Sequence, residues 1–138
     1  TSLTSLSTAS NSIVGSLPTA LGLLTALQEL HLDQNKISGT IPTVIGLLTS
    51  LQYLSLYSNC LSGSIPTAIG LMSSLTTAFI DKNKLTGTVP TQLCLLTKLT
   101  NINLFQNNFI ICSSTCTKGG DISYCISGNL YKLIYHKF

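Results

Sequence analysis

An asparagine returns every 24 residues in this chain, at Asn11, Asn35, Asn59, Asn83 and Asn107. Glycine keeps the same step at Gly15, Gly39, Gly63 and Gly87, and proline at Pro18, Pro42, Pro66 and Pro90. Apolar positions hold the register too: Leu27, Leu51, Leu75, Leu99; Leu30, Leu54, Ala78, Ile102; Leu32, Leu56, Ile80, Leu104; and Ile41, Ile65, Val89. A fixed period of this length argues against a globule with one central core. It predicts a solenoid, in which each coil buries its leucines only against its neighbours.

The unit reads L-x-x-L-x-L-x-x-N-x-L-x-G-x-I-P-x-x-L-G-x-L-x-x and is clearest from Leu51 to Ser74. It resembles the plant-type leucine-rich repeat of receptor-kinase ectodomains and polygalacturonase-inhibiting proteins. The match runs from Leu3 to Asn108, so residues 1–108 are expected to form four full repeats and a partial fifth, and 109–138 a cysteine-containing cap and tail. The resemblance implies an α/β solenoid wound as a right-handed superhelix. It also implies a parallel β-sheet on the concave face, short 3₁₀ or helical turns on the convex side, and recognition rather than catalysis as the chain's work.

Within each unit x-L-x-L-x alternates with period two, so Leu30 and Leu32 should enter the core while Glu29, His31 and Asp33 face away from it. The asparagine that follows is read as a structural ladder, its amide satisfying backbone groups of a tight turn and of the next coil. The glycine marks a turn, the residue before each proline is held extended, and the remainder is too short for more than a helical turn. Thr8 stands where the other coils carry Leu32, Leu56, Ile80 and Leu104, which weakens the first coil.

Charged residues are 8% of the chain and hydrophobic ones 44%, and Ser plus Thr make up about a quarter, so the solvent face is built largely of hydroxyls and amides. The net charge of +3 comes from scattered lysines with no arginine, which argues against nucleic acid. No apolar run approaches the length of a membrane-spanning helix, and residue 1 is Thr, so no signal peptide is visible. The chain reads as a mature product or a fragment of an extracellular or cell-surface protein. Its first coil begins without a cap, an edge open to self-association.

The letters that vary between coils are the candidates for function. Along the expected concave strands they are Ser5, Ser7, Ala9; Glu29, His31, Asp33; Tyr53, Ser55, Tyr57; Thr77, Phe79, Asp81; and Asn101, Asn103, Phe105. Tyr53, Tyr57, Phe79 and Phe105 fall on strands spaced about 4.8 Å apart and should form one aromatic patch, the residue class enriched at binding anchors. Glu29, Asp33 and Asp81 are expected to rim it with negative charge. The expected ligand is a protein, peptide or glycan.

Ser55 lies one coil from His31, and Asp33 two residues along from His31, so a Ser, a His and an Asp share one face. An open regular sheet supplies neither an oxyanion hole nor a pocket that excludes water, so no enzyme is expected. One imidazole beside Glu29 and Asp33 is too little for a metal site. No phosphate loop or CxxC pair is present, and no cofactor is expected.

Three of the five cysteines, Cys112, Cys116 and Cys125, cluster where the repeat fails, which suggests an oxidised cap and an exported protein. The preferred pairing is Cys94 with Cys116 and Cys112 with Cys125, leaving Cys60 free. The tail from Ile126 reads as a short strand or helix covering the last coil. Two further readings come from the frame itself. Hydroxyl rows at Thr19, Thr43, Thr67, Thr91 and at Ser16, Thr40, Ser64, Thr88 could order water at an ice surface, and the bare edge and neutral surface could serve a self-assembling filament or coat.

Overall fold

A computed structural model of the chain describes residues 2–109 together with the backbone of a short strand at 133–134. The outer strands of the coils are β1 (Ser5–Ser7), β3 (Glu29–His31), β5 (Tyr53–Ser55), β7 (Thr77–Phe79) and β9 (Asn101–Asn103). They pair in parallel in that order, with Leu6, Leu30, Leu54, Ala78 and Ile102 in register, so the 24-residue period of the letters is also the hydrogen-bonding register of the sheet. A sixth strand, β10 (Leu133–Ile134), joins antiparallel to β9, opposite Ile102 and Asn101.

A second, four-stranded parallel sheet is built from β2 (Val14–Ser16), β4 (Lys36–Thr40), β6 (Cys60–Gly63) and β8 (Lys84–Leu85). Here partners are 22 residues apart, as in Val14 with Lys36 and Ser38 with Cys60. The two sheets of each coil are therefore offset by two residues. The corner between them is set by a left-handed residue just before each asparagine, at Ser10, Gln34, Ser58, Lys82 and Gln106, all with φ from 53° to 56°. A second left-handed corner falls at Gly15, Gly39, Gly63 and Gly87, where the missing Cβ makes φ from 72° to 98° accessible.

Each proline holds an extended backbone immediately before a five-residue 3₁₀ turn: Thr19–Leu23, Thr43–Leu47, Thr67–Leu71 and Thr91–Leu95. The core runs the length of the stack between the sheets and these turns, with Leu27, Leu51, Leu75 and Leu99 forming one row and Leu32, Leu56, Ile80 and Leu104 another. Stacking is close enough that Gly46 has no room for a side chain, since a Cβ there would sit 2.4 Å from the carbonyl oxygen of Ala68 in the next coil.

The asparagine ladder is buried and reaches backward rather than forward. Asn59 donates from Nδ2 to the carbonyls of Leu56 in its own coil (3.1 Å) and Leu32 in the preceding one (3.0 Å), and its Oδ1 accepts the N–H of Ile37 at 3.0 Å. Asn35 and Asn83 repeat this pattern, and Asn107 carries it to Ile80 and Leu85. The expected bond to the next coil is corrected to one with the coil before. The αL residue ahead of each asparagine turns the chain so that the amide faces the groups already laid down. Asn11 is exposed and bonds only to Thr8 and Ala9 of its own coil.

Candidate functional site

The varying letters meet on the sheet of β1, β3, β5, β7 and β9, and their neighbours are set by its parallel register. Ser55 faces His31 on one side and Phe79 on the other, while Tyr53 faces Glu29 and Thr77. The Tyr53 ring leans across to both flanks of Ser55. It stacks on His31, with centroids 4.7 Å apart and planes 25° from parallel, and meets Phe79 edge-on at 5.8 Å and 83°. Offset-stacked and edge-to-face arrangements of this kind are the favoured ones for aromatic pairs. His31 completes the cluster as a member not expected from the letters alone, and its signal is the diagonal step from His31 to Tyr53 across adjacent strands.

Tyr57 lies just beyond β5, where the Gln34 amide donates to its hydroxyl at 2.6 Å and fixes the ring one coil from Asp33. Gln34 also reaches the Asp33 carboxylate, at 3.5 Å. Phe105 and Asn103 occupy the corresponding half-buried positions on the last described coil, and the Asn103 side chain accepts the N–H of Phe105.

Three expectations about exposure are corrected. Asp33 and Asp81, each 7% exposed, are not free rim charges, and Ser55 is only 1% exposed. The cause for the aspartates is the turn that follows each one at Gln34 and Lys82, together with larger neighbours: Tyr57 stands at the equivalent position beside Asp33, and Tyr57 and Phe105 flank Asp81. Burial pushes the Asp81 carboxyl above the usual carboxylate range, against its own backbone N–H and the Lys82 charge, which pull it down. Of the acidic groups among the described residues, Glu29 alone is exposed. Its carboxylate accepts the Ser5 hydroxyl at 3.3 Å and lies 3.6 Å from His31 Nε2. Partial burial, followed by the nearby charges of Asp33, Tyr57 and Glu29, raises the Tyr53 phenol above its ordinary value.

A nucleophile–base pair is not assembled. His31 turns to Glu29, and Ser55 Oγ is buried with no hydrogen-bond partner at all. Among the described residues no three His, Cys, Asp or Glu side chains are grouped to hold a metal, and no helix is long and apolar enough to cross a membrane.

Away from this sheet, the hydroxyl rows at Thr19, Thr43, Thr67, Thr91 and Ser16, Thr40, Ser64, Thr88 are exposed along the lateral face. Cys60, half-buried on β6, is a free thiol, whereas Cys112, Cys116 and Cys125 lie outside the described residues. One feature was not anticipated. Leu23, Leu47, Leu71 and Leu95, the last residues of the four 3₁₀ turns, are 52–80% exposed and form an apolar stripe along the convex side.

A profile of the leucine-rich-repeat family matches residues 25–85. No curated protein matches the chain. Among solved structures, the chain is similar to the Arabidopsis thaliana BIR3–SERK2 complex (40% identity, TM-score 0.71, 75% of this chain and 56% of that one). It is also similar to the Arabidopsis receptor kinase HAESA in complex with the peptide hormone IDA and the co-receptor SERK1 (30%, 0.75, 78% and 18%). A third likeness is PEPR1–AtPEP1 (34%, 0.74, 76% and 15%). The chain thus spans between about a seventh and just over half of these relatives' length. With parallel stacked strands, 3₁₀ turns and this likeness together, the chain is a leucine-rich-repeat solenoid. More narrowly, it is a plant-type leucine-rich-repeat protein, of the kind found in receptor-kinase ectodomains.

Proposed function

We propose that this chain is a non-catalytic extracellular recognition module that binds a peptide or protein segment across its concave sheet. The observation that carries the reading is the His31–Tyr53–Phe79 ring cluster, which sits on letters the repeat leaves free while the frame around them repeats. Core leucines, Asn59, Gly63 and Pro66 serve the coil whatever it binds; the rings have no such duty. The similar solenoid of HAESA, in complex with a peptide hormone and a co-receptor, supports the ligand class. Tyr53, Tyr57, Phe79 and Phe105 are the anchors, with Glu29 as the exposed charge, Asp33 buried beside Tyr57 and Asp81 buried between Tyr57 and Phe105. A Tyr57→Ala, Phe79→Ala double variant should abolish capture of any peptide selected against the wild type, measured by calorimetry. Affinity retained within about a factor of two would remove the concave face from consideration, since anchor residues each contribute more than that.

The export reading rests on the cysteines. Each glycine of one slot abuts the residue 22 positions later: Gly22 with Val44, Gly46 with Ala68, Gly70 with Gln92. Cys94 occupies this slot in the fourth coil, and the same step leads to Cys116. This supports pairing Cys94 with Cys116, and hence Cys112 with Cys125. Non-reducing peptide mapping should recover a Cys94–Cys116 linked fragment; a Cys94–Cys112 or Cys94–Cys125 fragment would refute it.

Self-association is a second reading, favoured by the leucine stripe on the convex side. Two copies share the same coil spacing, so their stripes can interdigitate leucine for leucine. A Leu47→Asn, Leu71→Asn variant should shift sedimentation from dimer to monomer; a wild-type chain monomeric at high concentration would end this reading.

A further inference from the structure

Two buried hydroxyls in the described residues have no hydrogen-bond partner, Thr8 Oγ1 and Ser55 Oγ. A buried polar group left unpaired costs the full desolvation of that group, so each calls for an explanation. For Thr8 it is simple. Thr8 stands at the core position that Leu32, Leu56, Ile80 and Leu104 occupy in later coils, where nothing from solvent can reach it. Ser55 differs, because strand alternation puts Leu54 and Leu56 in the core and Ser55 on the opposite, concave face. Its hydroxyl is closed off from that side by rings: His31 and Phe79 stand on either flank, and Tyr53 bridges between them.

The groups around this cluster are mostly acceptors. Glu29 is a carboxylate bordering His31, Asp33 is a buried carboxylate two residues beyond the end of β3 on the Tyr57 side, and Ser55 Oγ has two free lone pairs. No lysine lies on β3, β5 or β7. A ligand group that suits such a site is flat, to lie between rings, rich in N–H donors and positively charged. Among peptide side chains only the guanidinium meets all three demands, since it stacks on aromatic faces and presents five donors in one plane.

We propose that the concave sheet carries a guanidinium subsite, in which rotation of Tyr53 admits an arginine side chain of the bound peptide between His31 and Phe79, donating to Ser55 Oγ. Glu29 and Asp33 balance the charge. The Tyr53 ring is half-buried rather than core, so a rotamer change is within ordinary side-chain motion. The subsite rests on the concave-face reading above and narrows it to a peptide with arginine at the position that meets the third coil.

The test is a random peptide display library panned on the full 138-residue chain, followed by synthesis of a selected peptide and of the same peptide with citrulline for arginine. Citrulline keeps the shape and removes the charge. Arginine should be enriched among the selected sequences, and the citrulline peptide should bind roughly tenfold or more weakly, the loss expected for a charged hydrogen-bonding group. Ser55→Ala should weaken the arginine peptide while leaving the melting temperature unchanged or higher, because it removes a hydroxyl that is orphaned in the free protein. A merely structural Ser55 would move stability and not the arginine–citrulline ratio. Selected peptides without arginine, or equal binding of the citrulline form, overturn the subsite. If such peptides still lose binding in the Tyr57→Ala, Phe79→Ala variant, the concave-face reading survives without it. Retention of no peptide overturns both.

Discussion

The first coil and the third share the frame of the repeat, with the same Leu, Asn, Gly and Pro at the same steps, and make different structures. Leu54 and Leu56 are fully buried and Asn59 ties its coil to the one before, whereas Leu6 is half-buried, Thr8 leaves a hydroxyl unpaired in the core, and Val14 on β2 is exposed. The first coil has a neighbour on one side among the described residues, the third on both. A repeat residue therefore has no energy of its own; what it contributes is set by the coils that cover it.

Truncation of equivalent leucines should show this most strongly. Leu56→Ala opens a cavity between coils that cannot collapse, and a loss of about 2–5 kcal/mol in denaturant-measured stability is expected. Leu6→Ala removes a side chain already half in water and should cost less than about half as much, its transfer term being reduced in proportion. Equal losses would mean that burial by neighbours is not what distinguishes the coils.

The ladder gives the next largest contrast. Asn59→Ala strands the Ile37 N–H in the interior and leaves the Leu32 carbonyl with Asn35 as its remaining amide donor, so a loss of about 1–3 kcal/mol is expected from one buried unsatisfied group. Asn11→Ala breaks only exposed bonds to Thr8 and Ala9 and should stay within about 0.5 kcal/mol of wild type, as surface changes usually do. Chemical denaturation of the two variants side by side settles whether the inter-coil bonds or the local turn give the asparagine its value.

The frame was legible because every coil makes the same demand: strand alternation, the asparagine ladder and the glycine corners follow from the repeated unit, while the parallel sheet and the 3₁₀ turns came with the family resemblance. The candidate site was legible only in part. Which letters face outward follows from strand alternation, but how deeply each is covered depends on the size of its neighbours one coil away. Asp33, Asp81 and Ser55 are covered for that reason, two by flanking Tyr or Phe and one by His31, Phe79 and Tyr53 together. The bond that Gln34 gives to Tyr57 was hidden for another: it depends on the left-handed turn at Gln34, a conformation its sequence does not advertise. The convex leucines went unread because the unit leaves that position open, and four leucines in one row look like core.

A third test repairs the first coil instead of damaging the third. Thr8→Val keeps the shape of the side chain and removes the unpaired hydroxyl, so a gain of about 1 kcal/mol is expected, the lower end of the cost of burying such a group. The gain should be local, seen as slower hydrogen exchange at β1 and β3 with little change at β7 and β9. Uniform slowing across the sheet would show that the stack unfolds as one unit and that the first coil is not its weak end.

The smallest effect concerns charge, in the slot that holds Ala9 in the first coil and Asp81 in the fourth. Burial between the Tyr57 and Phe105 rows raises the Asp81 carboxyl above its unfolded value of 3.8, so the folded state binds this proton more tightly than the unfolded chain does. The sign follows from linkage. Ionised Asp81 disfavours folding at every pH above its folded pKa, and that penalty fades as pH falls through the folded value toward 3.8, below which it is gone. Asp81→Asn removes the titration, so the variant's stability relative to wild type should be highest near neutral pH and should decline as the solution is acidified into the carboxylate range. Ala9→Asp places the same group in the first coil, where the adjacent strand sets Asp33 rather than a ring beside it, so any pH dependence it shows comes from charge rather than ring burial and should fade at high salt. Urea melts at a series of pH values measure both differences. A flat Asp81→Asn difference, or one that grows in acid, would show that the flanking rings do not desolvate the carboxylate, and with it would fall the account of how neighbours set the character of the concave letters.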